Sequence, residues 1–244
     1  MTTPAPDGVP DGGPDGPGDA LDDDVLVAGF VRALGPRCRA DDAHAAAQAL
    51  LRRWDEPHRR YHDRAHLTAT LHAVTTLLAD HPAPAPAVDV GALELAVWFH
   101  DAVYAGRPGD DEEASAVLAE QTLPALAQPA ARVAEVARLV RLTAAHDPAD
   151  GDLAGELLHD ADLAILAAPE AEYAAYAAAV RHEYAHVPQA AFRAGRAAVL
   201  RGLVDRPAGG PATLYRTPAG RRRWQERALA NVRAELARLT SPAG

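Results

Sequence analysis

At 244 residues, with 48% hydrophobic and only 5% aromatic side chains, the chain is long enough for one domain whose core is mostly Ala, Leu and Val, a composition suited to closely packed helices. The formal charge of −10 is uneven, because Asp7, Asp11, Asp15, Asp19, Asp22, Asp23 and Asp24 precede any arginine and leave about −3 for the remainder. Basic groups are scattered, Cys38 stands alone, and no apolar run approaches the roughly 18 residues of a membrane span, which argues against a nucleic-acid partner, a disulfide framework and a membrane protein. Without a basic segment followed by an apolar one at the N-terminus, the expectation is a soluble, cytoplasmic protein.

Residues 1–19 carry Pro-Asp-Gly triplets at Pro6, Pro10 and Pro14, turn chemistry with almost nothing to bury, and predict a disordered acidic tail. Helical signals then dominate. A helix is expected over 21–34, on Leu26, Phe30, Val31 and Leu34, and another over 41–54, with Asp41 or Asp42 as its N-cap. A third, over 63–80, places Leu67, Leu71, Val74 and Leu78 at helical spacing. The prolines of 81–86 predict a stiff connector, after which Asp89 starts a strongly apolar helix. Further helices are expected over 110–123, 129–145, 153–167, 169–187 and 189–204. A Gly/Pro loop at 206–211 leads to a closing helix over 218–239. No alternating strand pattern is found. The fold class is all-α, with one domain over 20–244.

The helix from Asp89 ends its apolar run Leu93-Glu94-Leu95-Ala96-Val97-Trp98-Phe99 on the adjacent pair His100-Asp101. His100 falls on the stripe Leu93, Ala96, Val97, His100, Tyr104, and so points where the core points. A carboxylate beside such a helix is expected to be paired or to coordinate a metal, since desolvating it alone costs several kcal/mol. Two further clusters combine the same groups: Tyr61-His62-Asp63-Arg64-Ala65-His66 and His159-Asp160-Ala161-Asp162-Leu163. Two His and two Asp from three segments make a nitrogen/oxygen site for a divalent cation. The blander reading satisfies each imidazole with a carbonyl and leaves Asp101 as a cap.

His66, then His100-Asp101 thirty-four residues on, then the distal Asp of Ala161-Asp162, resemble the H…HD…D signature of the HD-domain superfamily of metal-dependent phosphohydrolases. The likeness extends to Arg60-Tyr61-His62-Asp63 through His66-Leu67, Trp98-Phe99-His100-Asp101-Ala102-Val103-Tyr104, Asp110-Asp111-Glu112-Glu113-Ala114-Ser115-Ala116 and Asp160-Ala161-Asp162-Leu163-Ala164-Ile165-Leu166. Arg181-His182-Glu183-Tyr184 and Gly195-Arg196 also match one subgroup of predicted HD-type hydrolases, so the resemblance spans roughly 40–240. It implies His66, His100, Asp101 and Asp162 as ligands of one divalent metal, with Asp160 as rival for the last place and His62 as a substrate contact or fifth ligand.

Mixed His/Asp ligation suits Mn, Fe, Co, Ni, Zn and, less well, Mg. The expected activity is hydrolysis of a small phosphorylated metabolite, a nucleotide among the candidates, by a metal-activated water. Glu113 or Glu112 is the expected general acid/base, with a helix-dipole role as the alternative. Arg60, Arg64, Arg181 and Arg196 are candidate anion holders and His146 a further pocket residue. The competing functions are a nucleotide-sensing module without turnover and a dinuclear phosphodiesterase or oxygenase. The latter is disfavoured because no His occurs between His100 and His146.

Overall fold

Helix α4, Val90–Phe99, contains a single charged residue, Glu94, and buries Ala92, Leu93, Leu95, Ala96, Val97, Trp98 and Phe99. A helix apolar on all sides belongs at the centre of a domain. In the computed structural model, which describes residues 22–81, 88–204 and 213–241, it occupies that place. Around it pack α1 (Asp23–Leu34), α3 (Arg64–Ala79), α5 (Asp110–Thr122), α6 (Ala130–Leu142) and α7 (Leu153–Asp162). Helix α2 (Ala40–Trp54) leans on α1 and α3, and α3 also packs along α7. A second group, α8 (Glu170–Glu183), α9 (Gln189–Val204) and α10 (Pro218–Thr240), closes over the 3-10 segment Leu163–Ala167. The described residues contain no strand, so the all-α expectation holds. None of their helices is long and apolar enough to cross a membrane. The expected acidic tail, most of the proline-rich connector and the Gly/Pro loop lie outside the described residues.

Helix starts follow side-chain chemistry. Asp22, Asp63, Asp89, Asp152 and Thr217 each accept from an amide in the first turn that follows them, satisfying donors that a helix leaves open. Helix α2 differs from expectation: its cap is Arg39, which makes no side-chain cap bond, and Asp41 and Asp42 sit inside the first turn. Helix α4 stops at Phe99, so Tyr104 is not part of a continued stripe. It lies beyond a turn in which Ala102 donates to the Phe99 carbonyl. Helix α6 likewise ends at Leu142 and α8 at Glu183, both earlier than periodicity suggested, with turns following each.

One close approach fixes the depth of α4. A Cβ on Gly91 would come within 2.6 Å of the Ala33 carbonyl and still closer to the Arg132 guanidinium, so α1 meets α4 backbone to backbone at this point. We expect Gly91→Ala to lower unfolding free energy by about 1–3 kcal/mol, the usual cost of overpacking, as read from urea midpoints.

Candidate metal centre

Three helix ends deliver the polar cluster. Asp63 accepts from the amides of Ala65 (2.9 Å) and His66 (3.3 Å), starting α3 so that His66 lies in its first turn, buried. His100 follows α4 directly, and Asp162 is the last residue of α7. The floor is Trp54, fully buried, whose ring centroid lies 5.4 Å from that of His100 and 6.2 Å from that of His66. Its indole N–H donates to the Trp98 carbonyl at 3.2 Å, locking the floor to α4.

The two imidazoles meet through Nε2, 3.1 Å apart. His100 Nδ1 lies 2.8 Å from the Val97 carbonyl, which can only accept, so Nδ1 carries a proton and Nε2 is the nitrogen left to take a further proton or a metal. Asp101 Oδ2 is 3.2 Å from His100 Nε2 and 3.7 Å from His66 Nε2, while Asp162 Oδ1 is 3.5 and 3.1 Å from the same atoms. Donor atoms bound at about 2.1 Å stand about 3.0 Å apart at adjacent octahedral positions and about 3.4 Å apart in a tetrahedron. The His66, His100 and Asp101 donors, all within 4.8 Å of one another, can therefore hold a metal ion.

Electrostatics agree with a cation site. Burial disfavours a charged His100, but Asp101 and Asp162 outweigh it and hold the imidazole well above its usual range. Burial likewise pushes both carboxyls upward. The charge and hydrogen bonding of His100, with His62 acting on Asp101 and His66 on Asp162, reverse this and carry both well below the carboxylate range. Two partly buried anions facing two imidazole nitrogens call for positive charge between them, as a proton or a metal.

Around this cluster a second set of contacts fixes the walls. Glu183, at the end of α8, accepts on Oε1 from the amides of Arg60 (2.7 Å), Tyr61 (2.8 Å) and His62 (3.0 Å). Its Oε2 takes His62 Nδ1 (2.7 Å) and the Tyr104 hydroxyl (2.9 Å). Burial raises this carboxyl, but the bond and charge of His62 and the amides bring it down to about 2. His62, stacked on Tyr104 at 4.3 Å, is raised by Glu183, Asp101 and Asp162 against the opposing effect of burial. Arg59, also buried, donates to the carbonyls of His62 (2.9 Å) and Asp101 (2.8 Å) and lies over Trp54 and Tyr104. Asp111 accepts from the amides of Ala105 (2.9 Å) and Arg107 (2.7 Å), and the Ser115 hydroxyl accepts from the Val103 amide (3.0 Å), binding the segment after the His-Asp pair to α5.

Several expected site residues are placed elsewhere. Asp160 gives both oxygens to the turn before α10: the Arg216 amide at 2.6 Å, the Thr217 amide at 2.8 Å and the Thr217 hydroxyl at 2.6 Å. It is thus a structural anchor, raised to about 6 by burial despite those donors, and Asp162 is the carboxylate that faces the histidines. Glu113 is 54% exposed and gripped by Arg141 at 2.7 Å, which lowers its carboxyl, so the expectation of an acid/base role there is corrected. Glu112 caps the Gly109 amide, and its carboxyl is raised chiefly by burial, with the charges of Asp101 and Asp111 adding to it.

The arginines do not form an anion-holding set. Arg64 pairs with Asp55 and Asp23, Arg60 donates to the carbonyls of Pro57 and Arg59, and Arg181 clamps those of Tyr184 and Val187. Arg196 pairs with Glu235 (2.9 Å) and donates to the Tyr176 hydroxyl (3.0 Å), and it connects to the centre through Tyr176 edge-on to Tyr61 and Tyr61 tilted against His66. His146 does lie at the centre, with Nε2 3.6 Å from Asp162 Oδ2. Glu183 and Arg59 are site residues that sequence reasoning misses, although Glu183 lies within Arg181-His182-Glu183-Tyr184. Comparison with protein-family models, curated protein sequences and solved structures finds no match to this chain.

The Glu183 contacts carry a pH signature. A carboxyl held at about 2, against an ordinary 4.5, contributes stability that is complete above the higher value and is lost as pH falls toward the lower one. We expect Glu183→Gln to show a shallower decline of urea midpoint than wild type through that acid window.

Proposed function

We propose that the protein is a metal-dependent phosphohydrolase acting on a small phosphorylated metabolite. The observation that carries this reading is the convergence on His66 Nε2 and His100 Nε2, themselves 3.1 Å apart, of Asp101 Oδ2 (3.7 and 3.2 Å) and Asp162 Oδ1 (3.1 and 3.5 Å). Those four groups would hold one divalent ion; among the candidate metals, Mn, Fe, Co, Ni and Zn suit two nitrogens and two oxygens better than Mg does. When bound, such an ion supplies Lewis acidity, polarising a phosphoryl oxygen and making water a nucleophile near neutral pH.

The protein's own groups do the remaining work. Asp101 and Asp162 have side chains 14% and 12% exposed, whereas those of the histidines are at 3% or below, so the open side of the cluster is the carboxylate side. A phosphate ester approaches from there. His62 stands at that rim, 21% exposed and turned by Glu183, and is the group that donates to a phosphoryl oxygen. Glu112, whose Oε2 accepts from the Gly109 amide, is the candidate on α5 to take up a proton from the attacking water. Arg59 keeps the loop carrying His62 in register with the His-Asp turn by holding carbonyls of both.

With Mn2+, Co2+, Ni2+ or Mg2+ supplied in turn, the purified chain should hydrolyse phosphate esters, with nucleotides the first class to test. His100→Ala and Asp101→Ala should each lose bound metal by elemental analysis and lower turnover at least about 100-fold, beyond the usual cost of disturbing a ligand's supporting shell. Metal binding without turnover on any phosphate ester would contradict the hydrolase reading and leave a sensing module.

A further inference from the structure

Beyond the end of α6 the chain turns through 143–146, and the His146 amide donates to the Leu142 carbonyl at 2.9 Å. His146 closes that turn with φ +48°, in the left-handed region. Glycine or asparagine is the ordinary residue there, because a Cβ crowds the backbone in this conformation. Ala127 is the other non-glycine residue with positive φ among the described residues, and it has only a methyl group to place. At 146 a whole imidazole is carried on strained backbone, and its contacts must compensate.

Those contacts lead to Asp162. Nε2 of His146 lies 3.6 Å from Asp162 Oδ2, while the other carboxylate oxygen, Oδ1, is the one that faces His66 and His100. The ring is confined by His159, edge-on at 5.6 Å, whose Nε2 lies 2.9 Å from the Leu214 carbonyl. Asp162 needs such help for two reasons. A carboxylate rotates easily about its last bond and can exchange its oxygens, and this one sits at the C-terminal end of α7, where the helix dipole disfavours negative charge.

We infer that His146 is a positioning residue: its imidazole engages Oδ2 of Asp162 and thereby presents Oδ1 to the cation held with His66, His100 and Asp101. The inference rests on reading that cluster as a cation site. Backbone and side chain make opposite demands at position 146, because glycine would relax the turn and lose the imidazole, whereas glutamine would keep an N–H donor. A merely structural cap would not separate the two.

The test uses the full chain as wild type, H146G and H146Q, with Mn2+ affinity and stoichiometry from chelator competition and Tm measured on the metal-free protein. H146G should bind Mn2+ at least about 10-fold more weakly, with a metal-free Tm at or above wild type by up to about 2–4 °C, and H146Q should recover affinity. Wild-type affinity in H146G overturns the inference. So does a loss of affinity accompanied by a fall in metal-free Tm, which marks a structural role, or a drop from two Mn2+ to one, which makes His146 a ligand itself. Absence of Mn2+ binding in the wild type overturns the cation site and this inference together, whereas unchanged binding in H146G overturns the inference alone.

Discussion

Two imidazole nitrogens 3.1 Å apart, with two partly buried carboxylates against them, form an arrangement that a protein must stabilise from outside. Neither the nitrogens nor the carboxylates can satisfy one another without added positive charge. His100 is held through Nδ1 by the Val97 carbonyl, His66 by the capped start of α3, and both rest over Trp54. The all-apolar α4 brings His100 to the centre of the domain because no face of that helix is content in water.

Around that centre, side-chain bonds to backbone hold the loops. Glu183 gathers three consecutive amides, one imidazole and one phenol, while Arg59 gathers carbonyls from the two loops flanking the cluster. Asp111 and Ser115 do the same for the segment beyond Asp101. The result is a preorganised surround, made largely of side-chain bonds to backbone, in which His62 is held by Glu183 and His146 lies 3.6 Å from Asp162.

Much of this was legible in the sequence, and the limits have physical causes. The apolar run ending in His100-Asp101 announced both a buried helix and a polar group that needed a partner. Asp160 and Asp162 could not be separated by spacing alone, but residues two apart on a helix differ by about 200°, so they face opposite sides. One meets the histidines and the other the turn at 216–217. Glu112 and Glu113 differ by about 100°, and only the position of Arg141 on α6 shows which one is drawn outward. Glu183 and Arg59 act on backbone amides and carbonyls, which every residue possesses, so their partners leave no mark in residue identity. The arginines do not act as a set, because each has local partners (Asp55 for Arg64, Glu235 for Arg196) that only the packing reveals.

Anomalous diffraction from crystals soaked in Mn2+ or Co2+ tests the central claim most directly. The account predicts one strong peak about 2.0–2.3 Å from His66 Nε2, His100 Nε2, Asp101 Oδ2 and Asp162 Oδ1. A lattice that takes up metal only elsewhere, or a peak ligated by Asp160 in place of Asp162, would contradict it.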